Sequence, residues 1–263
     1  MELFFIALLI FFIGIFIGSF INVYIIRYGT KESFVTGRSH CMSCGKTLKW
    51  YDMFPLISYL ILGGKCRFCK AKISPQYPII EFINGLGYAL IVVLSKDIGV
   101  VTFLNCLCFS ALLGLSMIDI KHYEIPYSAN IFIAVLGIIA LILDYQNWLL
   151  YVIGAVCVSG LLLLIQIVSR GRAMGGGDVF LMASAGLLLG WKKIIAAFVF
   201  GCIIGSVLHI IVMAVKRRKY SGEDNEQNAN MLPFGPYLAA GIFISMLFGD
   251  ALINWYAGML GLS

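Results

Sequence analysis

Apolar runs long enough to cross a lipid bilayer recur along nearly the whole of this 263-residue sequence. A spanning helix needs about 20 apolar residues, because the hydrocarbon core is about 30 Å thick and each helical residue rises about 1.5 Å. Eight candidate runs cover residues 3–26, 79–95, 99–118, 127–143, 149–169, 179–191, 194–215 and 234–256. With 61% apolar and only 12% charged residues, the chain lacks the polar surface of a soluble domain. The sequence therefore predicts an all-α polytopic membrane protein with about eight transmembrane helices.

The first run, residues 3–26, is too long for the apolar part of a signal peptide, and it follows the acidic residue Glu2 where a signal peptide would be basic. We therefore expect a spanning helix there. Gly14 and Gly18 form a small-x-x-x-small pair within it, which predicts that a neighbouring helix approaches closely.

Basic residues predict how the helices are oriented. If every run crosses the bilayer and the first starts outside, all but three of the 19 Lys and Arg residues lie on the inner side. The exceptions are Lys96, Lys192 and Lys193. The run at 179–191 is the shortest, but treating it as re-entrant would move the basic block 216–219 outside, so eight crossings are favoured. Orientation thus accounts for the net charge of +6, and nucleic-acid binding is not expected.

The same pattern divides the chain into three parts. Residues 1–26 form the first transmembrane helix, residues 27–78 a polar, basic domain on the cytoplasmic side, and residues 79–263 a transmembrane core of about seven helices. A second polar stretch at 220–230 is expected to be disordered.

Two Cys-x-x-Cys pairs, Cys41 with Cys44 and Cys66 with Cys69, lie in the polar domain. Two such pairs can clamp a tetrahedral zinc ion, and a piece this small would draw much of its folding energy from the metal. Two disulfides are the alternative, but they require an oxidising compartment. The expected cytoplasmic side favours a structural zinc ribbon without an open coordination position. The remaining cysteines are expected to pack inside apolar helices: Cys106, Cys108, Cys157 and Cys202.

Two aspartates lie at the ends of apolar runs that are predicted to meet the same face of the membrane. Asp119 ends the third run, and Asp178 follows three glycines, residues 175–177, at the start of the sixth. Taken singly, Asp178 suits a helix N-cap, and Asp119 suits an interfacial charge answered by Lys121. Taken together, two carboxyl groups at one depth can share a proton and activate a water against a peptide carbonyl. The pair is therefore predicted to be catalytic.

Five motifs in the same order resemble those of the type IV prepilin peptidases, which are membrane aspartic proteases of the GxGD kind. They are IGSFINVYIIR at 17–27, the cysteine segment from GRSHCMSCGKTLK to YPIIE at 37–81, IDIKHYEIP at 118–126, GGGD at 175–178 and LPFGPYLAAG at 232–241. The resemblance implies that Asp119 and Asp178 are the catalytic pair and that residues 79–263 are the peptidase core. The substrate would be the leader peptide of a prepilin or pseudopilin, cut at the cytoplasmic face of the bacterial inner membrane for type IV pilus assembly or protein secretion.

Family members with this cysteine domain often also methylate the new N-terminus of the cut protein with S-adenosylmethionine. The resemblance implies this second activity, but no glycine-rich methyltransferase loop is visible, and the residues that bind the methyl donor are unassigned. Two residues depart from the family pattern: Phe180 where a lysine commonly follows the second aspartate, and Met42 where a proline often follows the first cysteine.

Three functions are therefore weighed: a peptidase with methyl transfer, a peptidase alone, and a non-enzymatic membrane anchor whose zinc ribbon binds a partner. Glu81, at the start of the second run, serves either the methyl-transfer site or as a helix-end charge that snorkels to the interface. Asn22 and His209, inside runs, are expected to hydrogen-bond neighbouring helices. The basic domain is expected to lie against anionic lipid headgroups.

Overall fold

The computed structural model describes residues 2–30, 32–34, 36–95, 98–171, 174–219 and 233–259. The polar stretch predicted at 220–230 lies outside these residues. The described part contains nine α-helices and no strand, which confirms the all-α prediction. They are α1 (Glu2–Arg27), α2 (Ile57–Ile61), α3 (Gln76–Ser95), α4 (Val100–His122), α5 (Tyr127–Leu143), α6 (Trp148–Val168), α7 (Gly176–Leu189), α8 (Trp191–Lys219) and α9 (Gly235–Met259).

Six helices in the described part are long and apolar enough to cross a bilayer, so the protein is a multi-pass membrane protein. They are α1, α3, α4, α6 with the turn before it, α8 and α9. Two further apolar helices are shorter: α5 has 17 residues and α7 has 14. Whether these two cross the whole bilayer stays a prediction.

The boundary between α7 and α8 differs from the predicted one. The helix predicted at 179–191 begins at Gly176 and ends at Leu189, because Gly190 adopts a left-handed φ of 77° and donates its N–H to Gly186 O at 2.9 Å. Trp191 is the first residue of α8, where the sequence suggested the last residue of the preceding helix.

The chain forms two compact units, Met1–Gly114 and Leu115–Ser263, and α4 contributes to both. In the first unit α1 packs along α3 at glycines. A Cβ added at Gly14 would lie 2.8 Å from Gly85 Cα, and one added at Gly18 would lie 2.8 Å from Glu81 Cα. The predicted small-residue contact of α1 is thereby confirmed, and it lets two helix backbones touch.

Buried hydrogen bonds join the helices of the first unit. Asn84 Nδ2 donates to Gly14 O at 2.7 Å, and Ser110 Oγ donates to Asn84 Oδ1 at 2.9 Å, which connects α1, α3 and α4. Asn22 Nδ2 donates to Tyr77 O at 3.1 Å, so the predicted interhelical role of Asn22 is confirmed. Such bonds satisfy polar groups that lipid cannot solvate.

In the second unit the short helix α7 packs against α5, α6, α8 and α9. Gly186 of α7 meets Gly154 of α6 so closely that a Cβ on either residue would overlap the other backbone, and Gly137 of α5 lies against Leu187. Leu181, Met182 and Ala185 are fully buried. Because α7 is surrounded by protein rather than lipid, its length need not match the bilayer.

Candidate functional site

Asp119 lies one turn before the end of α4 and is only 4% exposed. Its Oδ2 accepts a hydrogen bond at 2.9 Å from the backbone N–H of Gly235, the first residue of α9. A Cβ added at Gly235 would lie 2.6 Å from that oxygen, so only glycine leaves room for the carboxylate. The start of α9 thus supplies both the donor and the space for this buried group.

Asp178 lies in the first turn of α7 and is 8% exposed. The N-cap of α7 is Gly175, so the alternative in which Asp178 itself caps the helix is wrong. The backbone N–H of Gly175 interacts with the Asp178 carboxylate, which therefore reaches back towards the helix start. Asp178 Oδ1 is buried and has no hydrogen-bond partner among the described residues. One oxygen of this carboxyl group is therefore available to a water or a substrate.

The loop between α4 and α5 contacts the two helix starts that border the carboxyl groups. Ile125 in this loop lies against both helix starts: a Cβ added at Gly177 would be 2.8 Å from Ile125 Cβ, and one added at Gly235 would be 3.2 Å from Ile125 Cδ1. The carboxylates of Asp119 and Asp178 interact electrostatically. Two carboxyl groups that interact in this way can share one proton.

Gly235 is a residue of the candidate site that sequence reasoning missed, although it lies in the LPFGPYLAAG motif. Its motif, Phe234-Gly235-Pro236, carried a detectable signal, because a glycine directly before a proline at a helix start marks a tight backbone approach. Phe180 is 55% exposed, and its ring packs edge-on against Tyr127 with the ring centroids 5.9 Å apart.

Glu81 is buried, at 5% exposure, and its Oε2 accepts the backbone N–H of Leu56 at 2.8 Å. A snorkelling helix-end charge would reach solvent, so that alternative is wrong for Glu81.

The four cysteines of the two Cys-x-x-Cys pairs form one cluster in the first unit. The Sγ atoms of Cys41, Cys44, Cys66 and Cys69 all lie within 4.8 Å of one another, and none of these thiols forms a disulfide. Cys41 Sγ and Cys69 Sγ are 3.9 Å apart. Thiolates around a tetrahedral zinc ion lie about 3.8 Å apart, since each Zn–S bond is about 2.3 Å. The cluster could therefore hold a metal ion with little movement.

The two pairs are built on the same local turn. The N–H of Cys41 donates to Lys46 O at 3.0 Å, and the N–H of Cys66 donates to Ala71 O at 2.8 Å. The residue after each second cysteine, Gly45 or Lys70, has a left-handed φ, of 68° and 59° respectively. Short antiparallel bridges, His40 with Thr47 and Lys65 with Lys72, close the two turns. Each turn therefore presents two thiols to a common centre.

Backbone donors prepare one thiol for metal binding. The N–H groups of Cys44 and Ser43 donate to Cys41 Sγ and lower the pKa of the Cys41 thiol to about 6. The thiolate is the form that binds a metal, so the turn favours the state that a ligand requires.

Two family models match the parts of the chain that contain the cysteine cluster and the two aspartates. The family model described as "Bacterial Peptidase A24 N-terminal domain" matches residues 12–95, and the "Type IV leader peptidase family" model matches residues 106–210. A "Prepilin leader peptidase/N-methyltransferase" of Bacillus subtilis is 30% identical over 252 residues, which covers 95% of this chain and 98% of that protein. A protein of the same name from Pseudomonas aeruginosa is 28% identical over 280 residues, covering 95% and 92% respectively.

An Escherichia coli "Type 4 prepilin-like proteins leader peptide-processing enzyme" is 30% identical over 264 residues, covering 89% of this chain and 93% of the relative. No solved structure matches the chain.

We expect the purified chain to carry about one metal ion per molecule, because four thiols converge on one centre. Cys66→Ser removes the buried thiol of the cluster and should lower metal affinity at least about tenfold. Cys157→Ser, which changes a cysteine in α6 away from the cluster, should leave metal content unchanged. Elemental analysis of the purified variants measures this. A metal-free wild-type protein whose four thiols are oxidised would contradict the prediction.

Proposed function

The chain belongs to the type IV leader peptidase family, and we propose that Asp119 and Asp178 are the catalytic pair with which it cuts the leader peptides of prepilins or pseudopilins. Prepilin processing follows from the family itself. The observation that carries the assignment of the pair is that two buried carboxyl groups, one near the end of α4 and one in the first turn of α7, interact electrostatically. Ionisable groups held inside a membrane protein are costly and usually functional, which supports a catalytic role over a structural one.

In the proposed mechanism one carboxylate of the pair acts as base and takes a proton from a water. The oxygen of that water attacks the carbonyl carbon of the scissile peptide, while the protonated partner donates its proton to the carbonyl oxygen. The first carboxyl group then gives its proton to the leaving nitrogen, while its partner takes a proton back from a hydroxyl of the tetrahedral intermediate. The C–N bond breaks, and the pair returns to its starting state. The Gly235 N–H holds Asp119 in place, and the unpartnered Oδ1 of Asp178 is available to the water or the scissile peptide.

The glycines before Asp178 support entry of an extended peptide. Gly175 and Gly176 carry no side chain at the N-terminus of α7, so a substrate backbone can approach the carboxyl groups. A helix must unwind locally before its peptide bond can be cut, and an extended strand of substrate needs such a free edge.

Basic residues support the orientation of the site. The positive-inside pattern assigns the end of α4 and the starts of α7 and α9 to the cytoplasmic face of the bacterial inner membrane. The same pattern supports contact of the basic domain with anionic lipid headgroups. Nucleic acid is not expected as a partner.

The four cysteines fit zinc, which we propose as the metal of the cluster because four thiolates in two turns are its preferred donor set. With all four positions filled by sulfur, zinc would supply folding energy to the domain and take no part in peptide hydrolysis.

N-methylation is supported by the names of the relatives, and S-adenosylmethionine is the proposed methyl donor. A Rossmann-type donor site does not fit, since the described residues contain no strand on which a glycine-rich loop could sit. Residues that bind the donor therefore stay unassigned.

Asp119→Asn and Asp178→Asn should each slow cleavage of a prepilin at least about 100-fold, because each removes a group that transfers a proton. Asp250→Asn is the matched control: this exposed carboxylate pairs with Lys193 at 2.7 Å in α8 and should leave cleavage unchanged. Initial rates in proteoliposomes give the result, with thermal melting to verify folding. Cleavage at the wild-type rate by either site variant would disprove the assignment.

Gly235→Ala should slow cleavage about 100-fold, because the added Cβ would displace the Asp119 carboxylate from its position. Gly258→Ala lies in the same helix with nothing within 4 Å of its Cβ, and it should cut normally. Comparison of kcat and KM for the two variants is the measurement. A Gly235→Ala variant with unchanged kcat would show that the Gly235 contact does not position Asp119.

Methyl transfer should place label from S-adenosylmethionine on the new N-terminus of a cut pilin. Asp119→Asn should give no label with the precursor, since the acceptor amine is never released, but normal label with a pilin that has already been cut. Mass spectrometry of the mature N-terminus measures both. Normal cleavage by the wild-type protein with no label would leave a peptidase alone.

A further inference from the structure

The segment between the two cysteine turns carries an apolar stripe that no described part of the protein covers. Ile57, Leu60 and Ile61 of α2 are 51%, 76% and 74% exposed, whereas Ser58 and Tyr59 are half-buried. Positions i, i+3 and i+4 share one helix face, so α2 turns its apolar face outward and its polar residues inward. This is the reverse of a helix on a water-facing domain.

Two contacts fix how deep this segment lies against the spanning helix α1. The ring of Phe54 packs edge-on against Phe16, with centroids 5.7 Å apart. The helical rise puts Phe16 about 16 Å from Arg27, the polar end of α1. An aromatic contact at that distance lies well inside a hydrocarbon core about 30 Å thick.

The second contact is independent of the first. Leu56 donates its N–H to Glu81, and Glu81 lies opposite Gly18 of α1. Gly18 is about 13 Å from Arg27 along the helix axis. Both contacts therefore put the start of α2 at a similar depth in the bilayer, about 13 to 16 Å from Arg27 along the axis of α1.

Hydrogen bonds within the protein satisfy backbone N–H groups of the segment, as a position inside the bilayer requires. The N–H of Leu56 is bound by Glu81, and those of Ser58, Leu60, Leu62 and Gly63 donate to carbonyls within the segment: Phe54 O, Leu56 O, Ser58 O and Leu60 O. Non-spanning backbone persists at membrane depth only when its polar groups are satisfied in this way.

Both ends of the segment return to the polar side. Before it, Trp50 and Tyr51 are residue types enriched at membrane interfaces. After it, Gly63 and Gly64 have left-handed φ values of 58° and 67°, and Gly64 O accepts the N–H of Ile73, just before α3, at 2.7 Å. The chain thus enters and leaves on the same side of the membrane.

We propose that residues 53–62 form a re-entrant segment embedded in the leaflet on the Arg27 side, with the apolar stripe of α2 in contact with lipid acyl chains. The occupant is lipid because the segment continues the exposed apolar face of α1, where Phe12, Phe16 and Phe20 are about half exposed. The domain expected at 27–78 is then only partly in water: its cysteine turns lie outside the bilayer and α2 lies within it.

Depth-dependent fluorescence quenching tests the proposal on the full-length protein. A fluorescent amino acid replaces Leu60 by stop-codon suppression, and the protein is reconstituted into phosphatidylglycerol and phosphatidylethanolamine vesicles with brominated acyl chains. The same label at Phe12, on the exposed face of α1, is the membrane control. The label at Arg38, an exposed residue of the polar domain, is the aqueous control.

Brominated lipid should quench the label at position 60 to within about twofold of the label at position 12, and aqueous iodide should quench it at least about threefold less than the label at position 38. Strong iodide quenching at position 60 with little quenching by brominated lipid would overturn the proposal. If iodide reaches position 60 until a prepilin is added and is then excluded, the stripe binds substrate and the lipid proposal is equally wrong.

Discussion

Close contact between helix backbones at glycine holds both units of this protein together. Lipid tails are as apolar as the side chains they meet, so helices in a bilayer gain little from hydrophobic burial and depend on tight packing. Gly14 and Gly18 let α1 touch α3, while Gly154 and Gly186 let α6 touch α7. The contact between Gly154 and Gly186 helps to position α7, which carries Asp178. The geometry of the proposed catalytic pair therefore depends on residues that have no side chain.

Close packing also determines the surroundings of the two carboxyl groups. Asp119 is buried where a single N–H and the absence of a Cβ at Gly235 accommodate it, whereas Asp178 keeps an oxygen without a partner. A fully satisfied buried carboxylate would be inert, and a wholly unsatisfied one would destabilise the fold. The proposed pair lies between these limits: one member is positioned firmly, and the other retains an oxygen for chemistry.

The six long spans and the cysteine cluster could be predicted from sequence, because hydropathy and ligand spacing are local signals. The two aspartates could be named as candidates because carboxyl groups beside apolar runs are a local signal too, and both are buried in the structure. The features that sequence reasoning missed depend on contacts between residues far apart in the chain. The bond from Gly235 to Asp119 joins residues 116 positions apart, and no local pattern reports it. Asp178 suits an N-cap by residue type, but α7 begins before it, with Gly175 as the N-cap. The burial of Glu81 depends on Leu56, whose left-handed φ of 59° no propensity would suggest.

The spacing of the two cysteine turns has a consequence for the chain between them. An ion held by Cys44 and Cys66 cross-links the ends of the intervening stretch, much as a disulfide would, and removes conformational entropy from its unfolded state. For loops of this size the effect is about 3 kcal/mol in the chain-entropy model. Removal of the ion by a chelator would therefore destabilise α2 as well as the cysteine turns. The packing of this short helix would then depend on the concentration of the metal.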